Sequence, residues 1–163
     1  MEDWRQDRIG AAERGENPTV LVQLTSGFAV IGDTQFLPGY CLLLASPRVN
    51  HLTDLPLNRR CAFLREMSLL GEAIEAVCRP RGLRRVNDEI LGNTDAYLHA
   101  HVFPRYDWEP VEYVGTTVFR YPPNKWSDAR YQLSEETHGP LRAELTDALR
   151  QLVGAQRVEE TTG

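Results

Sequence analysis

Tyr97-Leu98-His99-Ala100-His101-Val102-Phe103-Pro104-Arg105-Tyr106 decides how this chain is read, because it holds two of the four histidines at a spacing of two. Polar and apolar residues alternate through Val102, the pattern of a half-buried strand. Successive strand side chains point to opposite faces, so Tyr97, His99 and His101 fall on one face and Leu98, Ala100 and Val102 on the other, with same-face neighbours about 6–7 Å apart. Two imidazoles then share one ledge. Proline has no N–H for a ladder, so the strand is expected to end at Pro104, leaving Arg105 and Tyr106 at its mouth.

Working outward, Arg84 to Leu91 reads as a strand and Gly92-Asn93-Thr94-Asp95 as a tight polar turn. The two strands would form an antiparallel hairpin that sets both histidines beside the turn's amides and the Thr94 hydroxyl. Before it lies the strongest helix: Phe63, Met67, Leu70, Ile74 and Val77 recur at steps of four and three, from a start near Pro56 to Asn58 to a stop before Pro80. Tyr40 to Ala45 is a continuous apolar run suited to a central strand. Thr19 to Leu24 and Phe28 to Ile31, joined by Thr25-Ser26-Gly27, read as a hairpin, and residues 3–14 as a helix capped by Asp3.

Beyond Tyr106, residues 107–131 are rich in proline and aromatics and read as an irregular flap with one β-like run, Thr116 to Tyr121. A last helix is expected to open at Gly139-Pro140 and to carry Leu141, Leu145, Leu149 and Leu152 on one face until Gly154, followed by a loose tail from Gln156. No repeat and no linker divides the chain. The expectation is one α+β domain over 1–163, an antiparallel sheet of about five strands with the long helix packed on it and a C-terminal helix.

Bulk properties narrow the partners. The 163 residues are 42% hydrophobic and 25% charged, ordinary for one globular domain, and a net charge of -5 offers no basic field for a nucleic-acid polymer. A small anion needs only a few local donors. Three cysteines without paired spacing read as reduced thiols of a cytoplasmic protein, and no apolar run is long enough for a membrane span.

Imidazole, with an ordinary pKa of about 6.5, is largely unprotonated near neutral pH, so one histidine can attack while its neighbour handles a proton. Phosphorus suits such a nucleophile, because a covalent intermediate splits one hard displacement into two. Transfer there also needs donors for the equatorial oxygens, and Asn87, Asn93, Thr94 and the amides of the Gly92 turn lie in the right part of the chain. The spacing alone leaves two other readings open. Strand histidines are more often hydrogen-bonded structural residues than catalysts, and the pair could also give two zinc ligands, with a third needed from His51, His138 or a cysteine, none at a recognisable motif spacing.

Two stretches shift that balance: Val86-Asn87-Asp88-Glu89-Ile90-Leu91-Gly92-Asn93, and then Leu98-His99-Ala100-His101-Val102-Phe103-Pro104-Arg105-Tyr106. Together they resemble the signature of the histidine triad (HIT) family of nucleotide hydrolases and transferases, His-φ-His-φ-His-φ-φ, often followed by Pro-Arg. Gly27-Phe28-Ala29-Val30, Asp33, Pro38-Gly39-Tyr40-Cys41-Leu42-Leu43-Leu44 and Asp54-Leu55 resemble the first half of a HIT domain in the same order. The likeness spans about residues 18–108, is nearest to a bacterial diadenosine-tetraphosphate hydrolase-like branch, and leaves 109–163 as an unmatched C-terminal extension.

The resemblance implies attack on the α-phosphorus of a dinucleoside polyphosphate or nucleoside phosphoramidate through a nucleotidyl-histidine intermediate. His99 would be the nucleophile, and His101 would contact the phosphate and serve the leaving side. Asn93 and Thr94 would hold phosphate oxygens, with Asn87 just upstream, Asp33 would meet the ribose hydroxyls, and apolar residues near Phe28 and Ile31 would hold the base. It further implies a homodimer, with magnesium possible on the substrate phosphates; the sequence itself shows no metal ligand set and requires no cofactor. Tyr97 departs from the pattern by standing where the family has its first histidine, which opens the alternative of a nucleotide-binding or sensor protein with weak turnover.

Overall fold

The computed structural model describes residues 3–162. Five strands, β1 (Val20–Gln23), β2 (Gly27–Ile31), β3 (Cys41–Ala45), β4 (Leu83–Glu89) and β5 (His99–Tyr106), form one antiparallel sheet in the order β1-β2-β3-β5-β4. The helices are α1 (Arg8–Glu13), α2 (Leu57–Cys78), α3 (Val111–Val114), α4 (Pro123–Ser127) and α5 (Glu135–Thr162). The architecture is thus the expected α+β one.

The alternation in the strands sorts the residues onto two faces. Ala29, Ile31, Cys41, Leu43, Ala100 and Val102 form a core with α2 and α5, to which Phe63, Leu70, Ile74, Leu145 and Leu149 contribute fully buried side chains. On the other face, Phe28, Val30 and Leu44 pack against Ile9 and Ala12 of α1. His99 and His101 lie on this second face, opposite Leu44 and Leu42 of β3. The α2 periodicity is therefore correct, and its one buried charge has a function: Glu66 accepts the amides of Thr25 (2.9 Å) and Ser26 (2.8 Å) and the Ser26 hydroxyl, fixing the β1–β2 turn.

Several boundaries differ from the sequence reading, each for a local reason. β5 does not end at Pro104: it continues to Tyr106, with Pro104 opposite Val86 of β4. The ladder to β3 already stops at Cys41↔Val102, so beyond it a residue without an N–H breaks nothing on that side. β4 and β5 are antiparallel neighbours, but their link is the long segment 90–98 rather than a tight turn.

α1 starts at Arg8 because Asp7, not Asp3, is its cap, accepting from the Gly10 amide at 3.1 Å. Gly10 makes that approach possible, since a Cβ there would come 2.0 Å from the Asp7 carboxylate. The run 116–121 is not β-like; it holds a 3-10 turn at Val118–Arg120, with Val118 and Tyr121, three residues apart, buried.

α5 starts before Gly139-Pro140. Ser134 caps it through Oγ to the Thr137 amide (3.3 Å) while its own N–H donates to His138 Nδ1 (3.1 Å), and Pro140 is carried inside the helix. At the other end Gly154 adopts no left-handed conformation, so the helix continues through the expected tail over good helix formers such as Ala155, Gln156 and Arg157. Among the described residues no helix is long and apolar enough to cross a membrane.

Candidate active site

A cleft of about 200 Å³ opens on the histidine face of the sheet. Its floor is Val30, Leu42 and Leu44 with His99 and His101 beside them, and its walls include Arg8, Asp33, Tyr40, Tyr97 and Trp126. His99 is buried and His101 half-buried.

The hydrogen bonds define a single proton arrangement. His99 Nδ1 lies 2.8 Å from the main-chain oxygen of Tyr97, which can only accept, so Nδ1 carries the proton. In a neutral His99 the lone pair is then on Nε2. That nitrogen lies 3.1 Å from His101 Nε2, so His101 Nε2–H is the donor of this contact. His101 Nδ1 is left as an acceptor and receives the Tyr40 hydroxyl at 2.7 Å. The chain therefore runs from Tyr40 O–H through His101 to His99 and ends on a carbonyl.

Two members of this chain, His101 and Tyr40, are held neutral. Burial, with the neighbouring His99, holds His101 down at about 4, so it is uncharged at neutral pH. Burial pushes the Tyr40 phenol well above its usual range, so it remains a donor. Stacked rings fix the geometry: His101 lies parallel to Phe103 at 5.6 Å between centroids, and Tyr40 stacks on Phe103 at 4.3 Å.

Asp33 is in the cleft, but it is not free. Arg8 grips both of its oxygens, with Nη1–Oδ1 at 3.1 Å. Burial alone would weaken the charge of Arg8, but the hydrogen bond and charge of Asp33 more than offset it and raise its pKa. Tyr97 precedes β5 rather than lying within it, with its ring 4.9 Å from that of His99.

The remaining sequence candidates lie elsewhere. Asn93 and Thr94 are exposed on the 90–98 link, where Thr94 lines a neighbouring cavity rather than the histidine cleft. Asn87 faces the same side of the sheet as Phe103 but accepts from Arg105 Nη1 at 3.1 Å. Of the apolar pair proposed for a base pocket, Ile31 lines the cleft, whereas Phe28 packs under α1.

The zinc reading finds no third ligand. His51 is exposed at the start of a 3-10 turn, His138 is bonded at the start of α5, and among the described residues no three His, Cys, Asp or Glu side chains converge as a metal site.

Arg8, Tyr40 and Trp126 are cleft residues that sequence reasoning missed. Arg8 was visible only as a helical position, Tyr40 as the start of an apolar run, and Trp126 as part of a flap. Trp126 reaches the cleft because residues 131–133 run alongside 33–35, joined by Gln35 N to Tyr131 O (2.7 Å) and Leu133 N to Asp33 O (2.8 Å).

Comparison with known proteins agrees with this fold. The sequence model of the HIT domain matches residues 14–108. Among solved structures, a histidine triad protein from Marinobacter aquaeolei superposes with a TM-score of 0.65 at 23% identity, covering 82% of this chain and 89% of the other. A histidine triad protein from Sinorhizobium meliloti gives 0.63 at 16% identity over 91% and 96% of the two chains. A hypothetical histidine triad nucleotide-binding protein from Sulfolobus tokodaii gives 0.65 at 11% identity over 88% and 91%. Identities this low speak for the fold alone. No curated protein matches the chain.

Proposed function

The chain belongs to the HIT domain family, and from that premise we propose that it is a nucleotide hydrolase or nucleotidyl transferase acting at the α-phosphate of a dinucleoside polyphosphate or nucleoside phosphoramidate. The observation that carries this reading is the fixed tautomer of His99, whose Nδ1–H is held by the Tyr97 carbonyl and whose Nε2 therefore carries the lone pair. When substrate enters, Nε2 leaves its contact with His101 and forms a bond to the α-phosphorus. The bond from phosphorus to the leaving group breaks, its electron pair going to the departing oxygen or nitrogen. Water then attacks the nucleotidyl-His99, releasing the nucleoside monophosphate and restoring the imidazole.

His101 acts in this scheme as a hydrogen-bond donor to a phosphate or bridging oxygen, since a neutral imidazole is a poor proton source. That role favours a phosphoanhydride, whose leaving group departs as an anion, over a phosphoramidate, whose amine must be protonated. Asp33 meets the ribose once Arg8 is drawn to phosphate. Asn93 and Thr94 reach oxygens of the α-phosphate only if the 90–98 link folds inward over the histidine cleft, while Asn87 acts indirectly through Arg105. The covalent route draws on side chains and water; magnesium, where present, rides on the substrate phosphates. We extend the family reading to a homodimer, supported by the open outer edge of β4 and the exposed Leu57 and Leu64 of α2.

Tyr97 bears on the alternative of a nucleotide binder with weak turnover. The group that orients His99 is the main-chain oxygen of residue 97, which any side chain leaves in place. The enzyme reading is therefore preferred. Incubation with diadenosine tetraphosphate, alkaline quenching and peptide mass spectrometry should reveal an adenylyl group on His99, lost together with turnover in His99→Ala and retained in Tyr97→His. Nucleotide binding with neither adduct nor product would leave the binder reading in its place.

A further inference from the structure

A second cavity of about 200 Å³ abuts the histidine cleft, and Arg8, Asp95 and Tyr97 line both. Its remaining wall includes Arg5, Asp7, Arg48 and Thr94. Ligand pockets generally begin near ~300 Å³, a size that the two cavities reach only together. Most charges here are already matched. Asp3 holds Arg5 at 3.4 Å, Asp33 holds Arg8, and Asp7 caps α1. Arg48 and Asp95 make no ion pair among the described residues.

Arg48 is nonetheless held in place. Leu98 N–H donates to Val49 O at 2.7 Å and Ala45 N–H to Leu98 O at 3.1 Å, which ties the backbone beside Arg48 to that beside Tyr97. The guanidinium lies 5.1 Å from the centroid of the Tyr97 ring. A guanidinium resting on an aromatic face keeps its N–H donors, which lie at its edge, free for an anion.

We infer that this cavity seats the phosphate beyond the α-phosphate of a nucleoside polyphosphate, with Arg48 as its principal donor and Tyr97 as the platform that aims it. The inference rests on the nucleotide reading of the histidine cleft and adds to it a preference for chain length. It also gives Tyr97 a physical role: a neutral, electron-rich ring supports Arg48, whereas a histidine at that position would repel it whenever protonated. Asp95 faces the same space and opposes a bound anion, setting the affinity below what Arg48 alone would give.

The test is calorimetric titration of the full chain with AMP, ATP and inorganic tripolyphosphate in metal-free buffer. A new charge-assisted contact should make ATP bind about tenfold tighter than AMP. Arg48→Gln should remove most of that preference while weakening AMP far less, Tyr97→Phe should keep it because the ring remains, and Asp95→Asn should widen it. Equal affinity for AMP and ATP, or a preference that survives Arg48→Gln, would overturn the inference. Tripolyphosphate separates its failure from that of the nucleotide reading. If AMP fails to bind while tripolyphosphate binds through Arg48, the nucleotide reading falls and the anion site stands; if neither binds, both fall.

Discussion

Acidification from pH 7 to pH 5 should weaken the fold by about 2 kcal/mol through His101 alone. Burial and the adjacent His99 hold this imidazole down at about 4 in the folded protein, against about 6.5 in an unfolded chain. The folded value is depressed, so below pH 6.5 the unfolded chain takes up a proton that the native protein refuses until about pH 4. Stability is therefore complete above 6.5 and lost as pH falls towards 4, by about 3 kcal/mol in the limit. At pH 5 the protonated form outweighs the neutral one by roughly thirtyfold in the unfolded chain but is only about a tenth of it in the native state, which yields the figure of about 2 kcal/mol.

Two carboxyl groups of β4 act in the opposite direction. Burial raises Asp88 and Glu89, the latter directly across from His101, so their protonation offsets part of the loss. Comparison with His101→Gln isolates the imidazole, since the variant retains the carboxyls. Urea unfolding followed by tryptophan fluorescence should show the wild-type midpoint falling by about 1 M more than that of the variant between pH 7 and pH 5. Identical losses in the two proteins would refute the neutral, buried His101 and with it the donor role assigned above.

Tyr40→Phe removes the hydroxyl that donates to His101 Nδ1 at 2.7 Å and should cost about 1 kcal/mol. Because that bond favours the neutral ring, the His101 titration followed by proton NMR should move upward, and an unchanged titration would contradict the assigned tautomer. Glu109→Gln leaves the Arg105 guanidinium, whose side chain is 2% exposed, without its counter-charge and should cost about 3 kcal/mol in urea unfolding. A loss below about 1 kcal/mol would show that the remaining carbonyl contacts suffice.

The parts of this fold that were legible in the sequence are those governed by local period. The steps of four and three from Phe63 to Val77 locate α2, and the alternation from Leu98 to Val102 assigns both histidines to one face. The parts that were not legible depend on partners far along the chain. Pro104 continues a strand because β3 ends its ladder at Cys41 opposite Val102, a limit set by a segment about sixty residues upstream and not by β5 itself. Arg8 reaches the cleft because Asp33, twenty-five residues away, meets it there. Asn93 and Thr94 looked like a tight phosphate-binding turn, but the register of Glu89 against His101 makes the link too long for a two-residue turn and leaves both exposed.

The C-terminal third, outside the family match, is joined to the histidine strand itself. Arg105 of β5 donates to the carbonyls of Tyr113 (2.8 Å) and Thr116 (2.6 Å), and Glu109 accepts from Tyr106 N (2.7 Å) and the Tyr121 hydroxyl (2.8 Å). Burial alone would raise the Glu109 pKa, but these donors outweigh it and keep the carboxyl ionised. Tyr121 packs against Phe36, Phe36 against Trp126, and Trp126 lines the cleft. The residues that match the family thus provide both histidines, while a wall of the cleft comes from residues that do not, positioned through the buried ion pair between Arg105 of that strand and Glu109 just beyond it. Variation in that wall can reshape the cleft without removing the hydrogen bond that fixes the His99 tautomer, which comes from the carbonyl of residue 97; the extension reaches the histidine pair through Phe119, whose ring lies 5.3 Å from that of His101.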